Sequence, residues 1–236
     1  IQRLTEAGLK VVLRATLTAL NQDHMLETAE HHKRLGAKAT AFVPVNPVDS
    51  DEGILPEELL PSPEKIIAGL MEVYRSGIWK SGEIFPFNEY AGKFQPGALT
   101  VVGCGAPHGG TVTVTTRGDV YPCIYLVGIP KFQMGNILDE SYPRKGVLEG
   151  MFDALHVDHR EECRKCAWRY LCGGGCPLGQ LTVLRSSKAS PRVKEYCKGI
   201  YCDYNRSVLE TILWEKAQAA AGNQPDPSVS AVRACV

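Results

Sequence analysis

Hydrophobic and polar positions change period several times along the chain, and each change marks an element. Residues 10–18, Lys-Val-Val-Leu-Arg-Ala-Thr-Leu-Thr, are rich in β-branched side chains and predict a strand with Val12, Arg14, Thr16 and Thr18 on one face. Asn21 is placed to cap a helix running to Lys33 or Arg34, with Asp23 and Glu27 near its positive end, basic residues near its negative end and Gly36 after it. Lys38–Val45 predicts a second strand, so strand, helix and strand form a βαβ unit with a parallel sheet and a right-handed crossover. Residues 46–61, with their prolines and an acidic run, read as a loop. Ser62-Pro63-Glu64 then starts a helix, serine as cap and proline at the first helical position; Ile66, Ile67, Leu70, Met71, Val73 and Tyr74 supply its apolar stripe and Gly77 its stop.

Beyond Gly77 the period is lost. Residues 77–103, rich in glycine and aromatics, read as the join between two domains, 1–97 and 98–221. Thr111–Thr115 and Val120–Cys123 flank a turn-forming insert and predict a β-hairpin that holds Cys123 beside a tight turn. A closing helix is expected from Asp203 or Asn205 to Ala220, with Val208, Leu209, Ile212 and Leu213 facing inward. The last residues, 222–236, carry Pro, Ser and Asn and read as a disordered tail.

Composition adds exclusions. The 236 residues, 44% hydrophobic, are enough to bury a substantial core, and 26 basic against 26 acidic side chains leave no net charge to attract nucleic acid or an anionic membrane. No apolar run approaches the roughly 20 residues that span a bilayer, and no charged-then-apolar leader opens the chain. The expectation is a soluble, cytoplasmic protein with no nucleic-acid or membrane partner. Because the chain begins at Ile1 and its first methionine is Met25, it reads as a fragment or a processed form.

The chemistry lies in nine cysteines. Four are packed into Cys163-Arg-Lys-Cys166-Ala-Trp-Arg-Tyr-Leu-Cys172-Gly-Gly-Gly-Cys176, and thiols this dense bind metal. The glycines before Cys176 let the backbone fold close around an inorganic core. An odd cysteine count and clustered spacing argue against a secreted disulfide framework. Structural zinc, held by four thiolates in two pairs, is the alternative for the same residues. It leaves the hairpin glycine and the interleaved spacing without an explanation.

Written in full, the pattern is Cys104, thirteen residues, Gly118, four residues, Cys123, a gap, Cys163-x2-Cys166-x5-Cys172-x3-Cys176, a gap, and Cys197. It resembles the SPASM domain of radical SAM enzymes, whose signature it matches at seven cysteines and one glycine. The upstream βαβ unit is similar to the later part of a radical SAM barrel. The fold class implied is therefore α/β, a partial β/α barrel of parallel strands, followed by a small α+β SPASM domain with a β-hairpin and helices.

The resemblance implies two auxiliary [4Fe-4S] clusters. Cys104, Cys123 and Cys176 would hold the first; Cys163, Cys166, Cys172 and one late cysteine would hold the second. Either Cys197 or Cys202 fits as that late ligand, and the other is available to the first cluster. Completion of the signature by Cys197, slightly preferred, leaves Cys202 free and the first cluster with an open iron site. Arg14 occupies the place of a strand arginine that contacts S-adenosylmethionine in the family; the other reading is a structural arginine paired with a carboxylate. The Cys-x3-Cys-x2-Cys of the third, radical-generating [4Fe-4S] cluster has no counterpart, since no cysteine precedes Cys104. On that ground the chain is expected to be inactive alone.

Remaining residues carry weaker expectations. His31 and His32 read as a solvated helix face, Asn46 as a loop cap, and His156 and His159 as residues with no ligating role. Trp168 and Tyr170 read as shields between an iron–sulfur cluster and water. Sulfatase-maturing members of the family carry an aspartate after the second motif cysteine, whereas this chain has Ile124. The motifs Gly118-Asp-Val-Tyr-Pro-Cys123 and Trp168-Arg-Tyr-Leu-Cys-Gly-Gly-Gly-Cys176 look most like those of peptide maturases that form thioether or related cross-links. The function implied is the C-terminal part of a radical SAM enzyme acting on a precursor peptide or protein, with ferredoxin or flavodoxin as electron donor. A non-catalytic electron-transfer or scaffold module is the alternative.

Overall fold

A computed structural model describes residues 1–48, 53–139, 141–143, 146–177 and 183–222. The expected tail beyond Gly222, with Cys235, lies outside the described residues. After a short helix α1 (Gln2–Glu6), strand β1 (Val12–Leu17), helix α2 (Met25–Arg34) and strand β2 (Ala39–Pro44) form the expected βαβ unit. The strands pair in parallel with Arg14 opposite Ala41. Alternation does what the pattern predicts: Val12, Arg14 and Thr16 are exposed, while Leu13, Ala15 and Leu17 turn toward the helices. Asn21 does not cap α2. Its side chain accepts from the Thr18 amide at 2.8 Å and donates to the Thr16 carbonyl at 2.9 Å, which ties the loop back onto the strand it leaves.

Helix α3 (Pro63–Arg75) starts as its sequence dictates, with the Ser62 hydroxyl accepting from the Lys65 amide at 3.3 Å. The join expected over 77–103 contains further elements of the sheet layer. Strand β3 (Ile84–Phe85) extends the parallel sheet at Thr40 and Ala41, and helix α4 (Phe87–Ala91) follows at once. Two residues of strand have no measurable period, which is why the pattern alone misses them.

The thiol-bearing part begins with β4 (Thr113–Val114), β5 (Asp119–Tyr121) and β6 (Gly135–Asn136), an antiparallel sheet in the order β4-β5-β6. Gly118 sits in the β4–β5 turn at φ 85°; a Cβ there would lie 2.5 Å from the Asn136 side chain, so only glycine fits. Helices α5 (Val147–Leu155), α6 (Glu161–Arg164) and α7 (Arg169–Cys172) lead into the glycine run.

The closing helix α8 spans Pro191–Ala220 and begins 12 residues before the first expected start, Asp203. Its start repeats the device at α3: the Ser190 hydroxyl accepts from the Val193 amide and Pro191 fills the first position. Three tyrosines on α8 reach the C-terminal end of β2. Tyr196 donates to the Val45 carbonyl at 2.9 Å, Tyr201 to the Pro44 carbonyl at 3.4 Å, and Tyr204 to the Phe42 carbonyl. They satisfy backbone acceptors where the short β3 leaves β2 without a neighbour.

One apolar core runs from Leu17, Phe42, Ile66, Leu70 and Ile84 to Tyr204, Val208 and Leu209, so α8 and the sheet layer share it. A smaller core of Val102, Tyr121, Leu126, Phe132 and Met151 supports Cys104, Cys123 and Cys176. Among the described residues no helix is long and apolar enough to cross a membrane.

Candidate metal centre and cavity

Eight cysteines fall in the described residues and no disulfide joins them. The structure gathers them in two neighbourhoods. Cys163 is buried and interacts electrostatically with Cys166 and Cys172; Cys202 interacts with Cys172 and Cys163. Cys104 interacts with Cys123, and Cys197 with Cys176. The helical phase of α8 explains the division. Cys197 and Cys202 are five residues apart, so they leave the helix axis roughly 140° apart and about 7.5 Å displaced along it, facing different surroundings.

Neighbouring contacts on α8 agree. Tyr201, one turn beyond Cys197, has its Cβ 3.1 Å from where a Cβ on Gly175 would stand, next to Cys176. Asn205, nearly a turn beyond Cys202, donates to the Cys172 sulfur at 3.5 Å. Asn46 donates to the Cys176 sulfur at 3.6 Å, so it contacts the thiol region rather than capping a loop.

Burial is the first cause of a raised pKa at Cys104, Cys163, Cys197 and Cys202. Cys197 is pushed up to about 11, with Cys176 adding to the effect. Cys202, although exposed as a residue, is likewise pushed up to about 11 by the protein crowding its thiol, with Cys172 and Cys163 adding to the effect. Thiols held neutral bind metal by releasing their protons, since the ligand is the thiolate.

The donor set fits iron–sulfur ligation: eight thiols, two neighbourhoods of four, glycine backbone at close approach and amide donors at two of the sulfurs. Among the described residues no three His, Cys, Asp or Glu side chains converge as a single ion requires.

Between the exposed face of the parallel sheet and the thiol region lies a cavity of about 490 Å³. Arg14, Ala41, Val43 and Phe85 form its sheet wall, and Cys104, Cys172, Gly175 and Cys176 face them. Arg14 and Glu89 are the charged side chains in its lining, and Asn46, Tyr90, Tyr125 and Tyr201 are the principal polar ones. Among the described residues no carboxylate pairs with Arg14, although Glu89 is paired with Lys93 at 3.7 Å. The structural reading of Arg14 as half of an ion pair is not what the fold shows. Arg14→Ala is accordingly expected to leave stability within about 0.5 kcal/mol of the parent in chemical denaturation, as for an exposed side chain without partners. A loss of 2 kcal/mol or more would restore a structural role.

Other expectations are corrected by packing. His32 is 9% exposed, bonded through Nδ1 to the Thr40 hydroxyl at 2.8 Å and stacked on Phe42. Burial, and then the neighbouring His31, lowers its pKa. Tyr170 turns its hydroxyl to the Asp158 carboxylate at 3.0 Å. Two further aromatics lie beside the thiols: Tyr90, which interacts with Cys172, and Tyr201, which interacts with Cys176. Their signal was present in the chain as polar aromatics on amphipathic helices, but such residues also serve ordinary cores. His159 donates through Nδ1 to the Asp153 carbonyl, 2.9 Å away, and stacks on His156.

A parallel α/β sheet laid against a thiol-rich unit matches the fold of a radical SAM enzyme. The solved structures that carry it are of an anaerobic sulfatase-maturating enzyme. Native anSMEcpe with bound AdoMet and Kp18Cys peptide superposes with a TM-score of 0.62 at 19% identity, covering 93% of this chain and 60% of that one. Native anSMEcpe with bound AdoMet gives 0.60 at 19% identity, over 94% and 59%. Among curated proteins, two cysteine-type anaerobic sulfatase-maturating enzymes from strains of Clostridium perfringens are 40% and 39% identical over 67 residues. Those residues are 27% of this chain and 17% of the relatives, so the likeness spans a small part of their length. No protein-family model matches the chain.

Proposed function

We propose that this chain is the C-terminal part of a radical SAM maturase that modifies a peptide or protein. The observation that carries the reading is the cavity. It sets the unpaired Arg14 of a parallel sheet opposite Cys104, Cys172 and Cys176. A space of about 490 Å³ suits a small molecule or a few residues of extended peptide. In support, one similar solved structure is described as having both AdoMet and a peptide bound.

Cys163, Cys166, Cys172 and Cys202 would hold one auxiliary [4Fe-4S] cluster, and Cys104, Cys123, Cys176 and Cys197 the other. This assignment reverses the slight preference for Cys197 in the second cluster, because Cys202 is the late thiol that shares a neighbourhood with Cys163 and Cys172. It also supplies the first cluster with a fourth ligand. Iron–sulfur clusters at these positions supply one-electron chemistry when bound. The chain's own residues bind and orient: Arg14 offers a cation to a carboxylate at the sheet face, and Asn46 and Asn205 steady the sulfurs of Cys176 and Cys172. Tyr90 and Tyr201 exclude water from the thiol side of the cavity.

Ile124 is 67% exposed where sulfatase-maturing relatives of this family carry an aspartate. That position therefore offers no carboxylate to a substrate, and a peptide cross-link such as a thioether fits the chain better than sulfatase maturation. An outside reductant such as ferredoxin or flavodoxin would supply electrons.

Anaerobic reconstitution with iron and sulfide tests the proposal. About eight of each per chain are expected, as two four-iron cubes require. The loaded chain is also expected to bind a cysteine-containing peptide in fluorescence anisotropy. Stoichiometric zinc with no charge-transfer absorbance, or a loaded chain indifferent to the peptide, would count against it.

A further inference from the structure

Arg160 lies at the start of α6, three residues before Cys163. It is a partly buried cation whose Nη1 donates to the Gly174 carbonyl at 2.8 Å, within the glycine run between Cys172 and Cys176. Its Nε is buried and has no hydrogen-bond partner in the protein. Among the described residues no carboxylate is paired with the guanidinium. A charged N–H group removed from water and left without an acceptor is costly, and in a native structure it points to a partner other than the protein's own side chains or to a functional role.

The surroundings narrow that role. Its anchor, the Gly174 carbonyl, lies between Cys172 and Cys176, and Arg160 itself stands three residues before the buried Cys163, so its charge is fixed on the backbone that carries these thiols. Its contact with Gly174 has no slack: a Cβ on Gly174 would stand 2.3 Å from Nη1. Val157, fully buried, lies on the same side of Gly174, 3.5 Å from where that Cβ would stand. The guanidinium is thus held in place by backbone rather than by a carboxylate that would neutralise it.

We propose that Arg160 is the residue that sets the reduction potential of the iron–sulfur cluster held by Cys163, Cys166, Cys172 and Cys202, acting as a fixed positive charge with a buried N–H that the protein leaves without an acceptor. The inference rests on the two-cluster reading above. One-electron reduction adds one negative charge to the site, the electron coming from an external donor, and no proton or bond needs to move. A nearby cation and N–H donors to sulfur both stabilise the reduced form, so they raise the potential. Arg160 is a positioning and tuning residue in this role, with no contact to substrate implied.

The test is a redox titration of the iron-loaded chain with dithionite, followed by electron paramagnetic resonance, for the parent and for Arg160→Met, Arg160→Gln and Arg160→Lys. Methionine keeps length and loses both charge and donor; glutamine keeps a donor without charge; lysine keeps the charge. In Arg160→Met one cluster is expected to shift to lower potential while the other is unmoved and iron stays near eight per chain, the content of two four-iron cubes. Lysine is expected to recover most of the shift and glutamine little of it. Identical potentials for both clusters in all four proteins, at equal iron, would overturn the proposal. If Arg160→Met fails to hold iron, the comparison of glutamine with lysine decides, and equal potentials there would overturn it as well. A parent chain that takes up no iron would sink the two-cluster reading itself, a different outcome from unmoved potentials.

Discussion

Removing Cys104 and Cys123 together is expected to leave the reconstituted chain with about four iron ions instead of eight, the content of a single remaining cube. The same loss is expected from removing Cys163 and Cys172. Each double variant then becomes a background in which one late cysteine matters and the other does not. Without Cys104 and Cys123, the further change Cys202→Ala should convert the surviving cluster to a three-iron form or lose it, whereas Cys197→Ala should leave it untouched. Without Cys163 and Cys172 the two outcomes should exchange. Iron and sulfide analysis with Mössbauer spectra reads all four results. The reverse pattern would place Cys197 in the second cluster and Cys202 in the first, and a first cluster indifferent to both changes would have only three protein thiolates. The geometry behind the expectation is the roughly 140° between the two side chains on one helix, too wide for a common target.

That helix also shows where reading the chain stops short. The thiols, their spacing and Gly118 are legible because each is a residue type with few other uses. The βαβ unit and the helix α3 after it are legible because the alternation in β1 and the Ser62-Pro63 start of α3 each follow one rule. The N-terminal half of α8 was not, although Ser190-Pro191 is the same start signal as Ser62-Pro63. Gly199, Lys194 and two cysteines interrupt its apolar stripe, so its inward face mixes the tyrosines Tyr196 and Tyr204 with Val193 and Ile200. Once α8 is extended, Cys197 and Cys202 stop being interchangeable. The ambiguity was a matter of secondary structure before it was one of metal chemistry.

Asn46, Tyr201 and Asn205 were out of reach for a different reason. Each lies far from its thiol partner in the chain or on another element, and each residue type is common in loops and cores. Only the packing of α8 over the end of β2 brings Tyr201 to the Pro44 carbonyl and to the neighbourhood of Cys176. His32 was misread by the same logic in reverse: its neighbours Lys33 and Arg34 are polar, but its own position on α2 turns it toward Thr40.

The glycine run yields the largest stability effect. Gly173 follows α7 at φ 67°, in the left-handed region, and its neighbour across the site is Gly103. The Gly103 amide donates to the Gly173 carbonyl at 2.6 Å, and the Thr100 amide to the Tyr170 carbonyl at 2.8 Å, so the segment entering Cys104 is laced to the loop leaving Cys172. A Cβ on Gly173 would lie 2.5 Å from the Gly103 nitrogen and 2.6 Å from its Cα. Backbone cannot rotate away as a side chain does. Gly128 supplies the control: it has φ 82° but nothing within 4 Å of a Cβ. Gly128→Ala therefore carries only the conformational cost, about 1 kcal/mol. Gly173→Ala adds the backbone clash and is expected to cost about 3 kcal/mol or more in chemical denaturation. Because the clash falls where the segments of Cys104 and Cys172 meet, it should also lower iron uptake, while Gly128→Ala should not. Equal costs for the two alanines, with iron retained in both, would show that the two segments can separate without loss, and the close approach would then have no part in holding the thiols together.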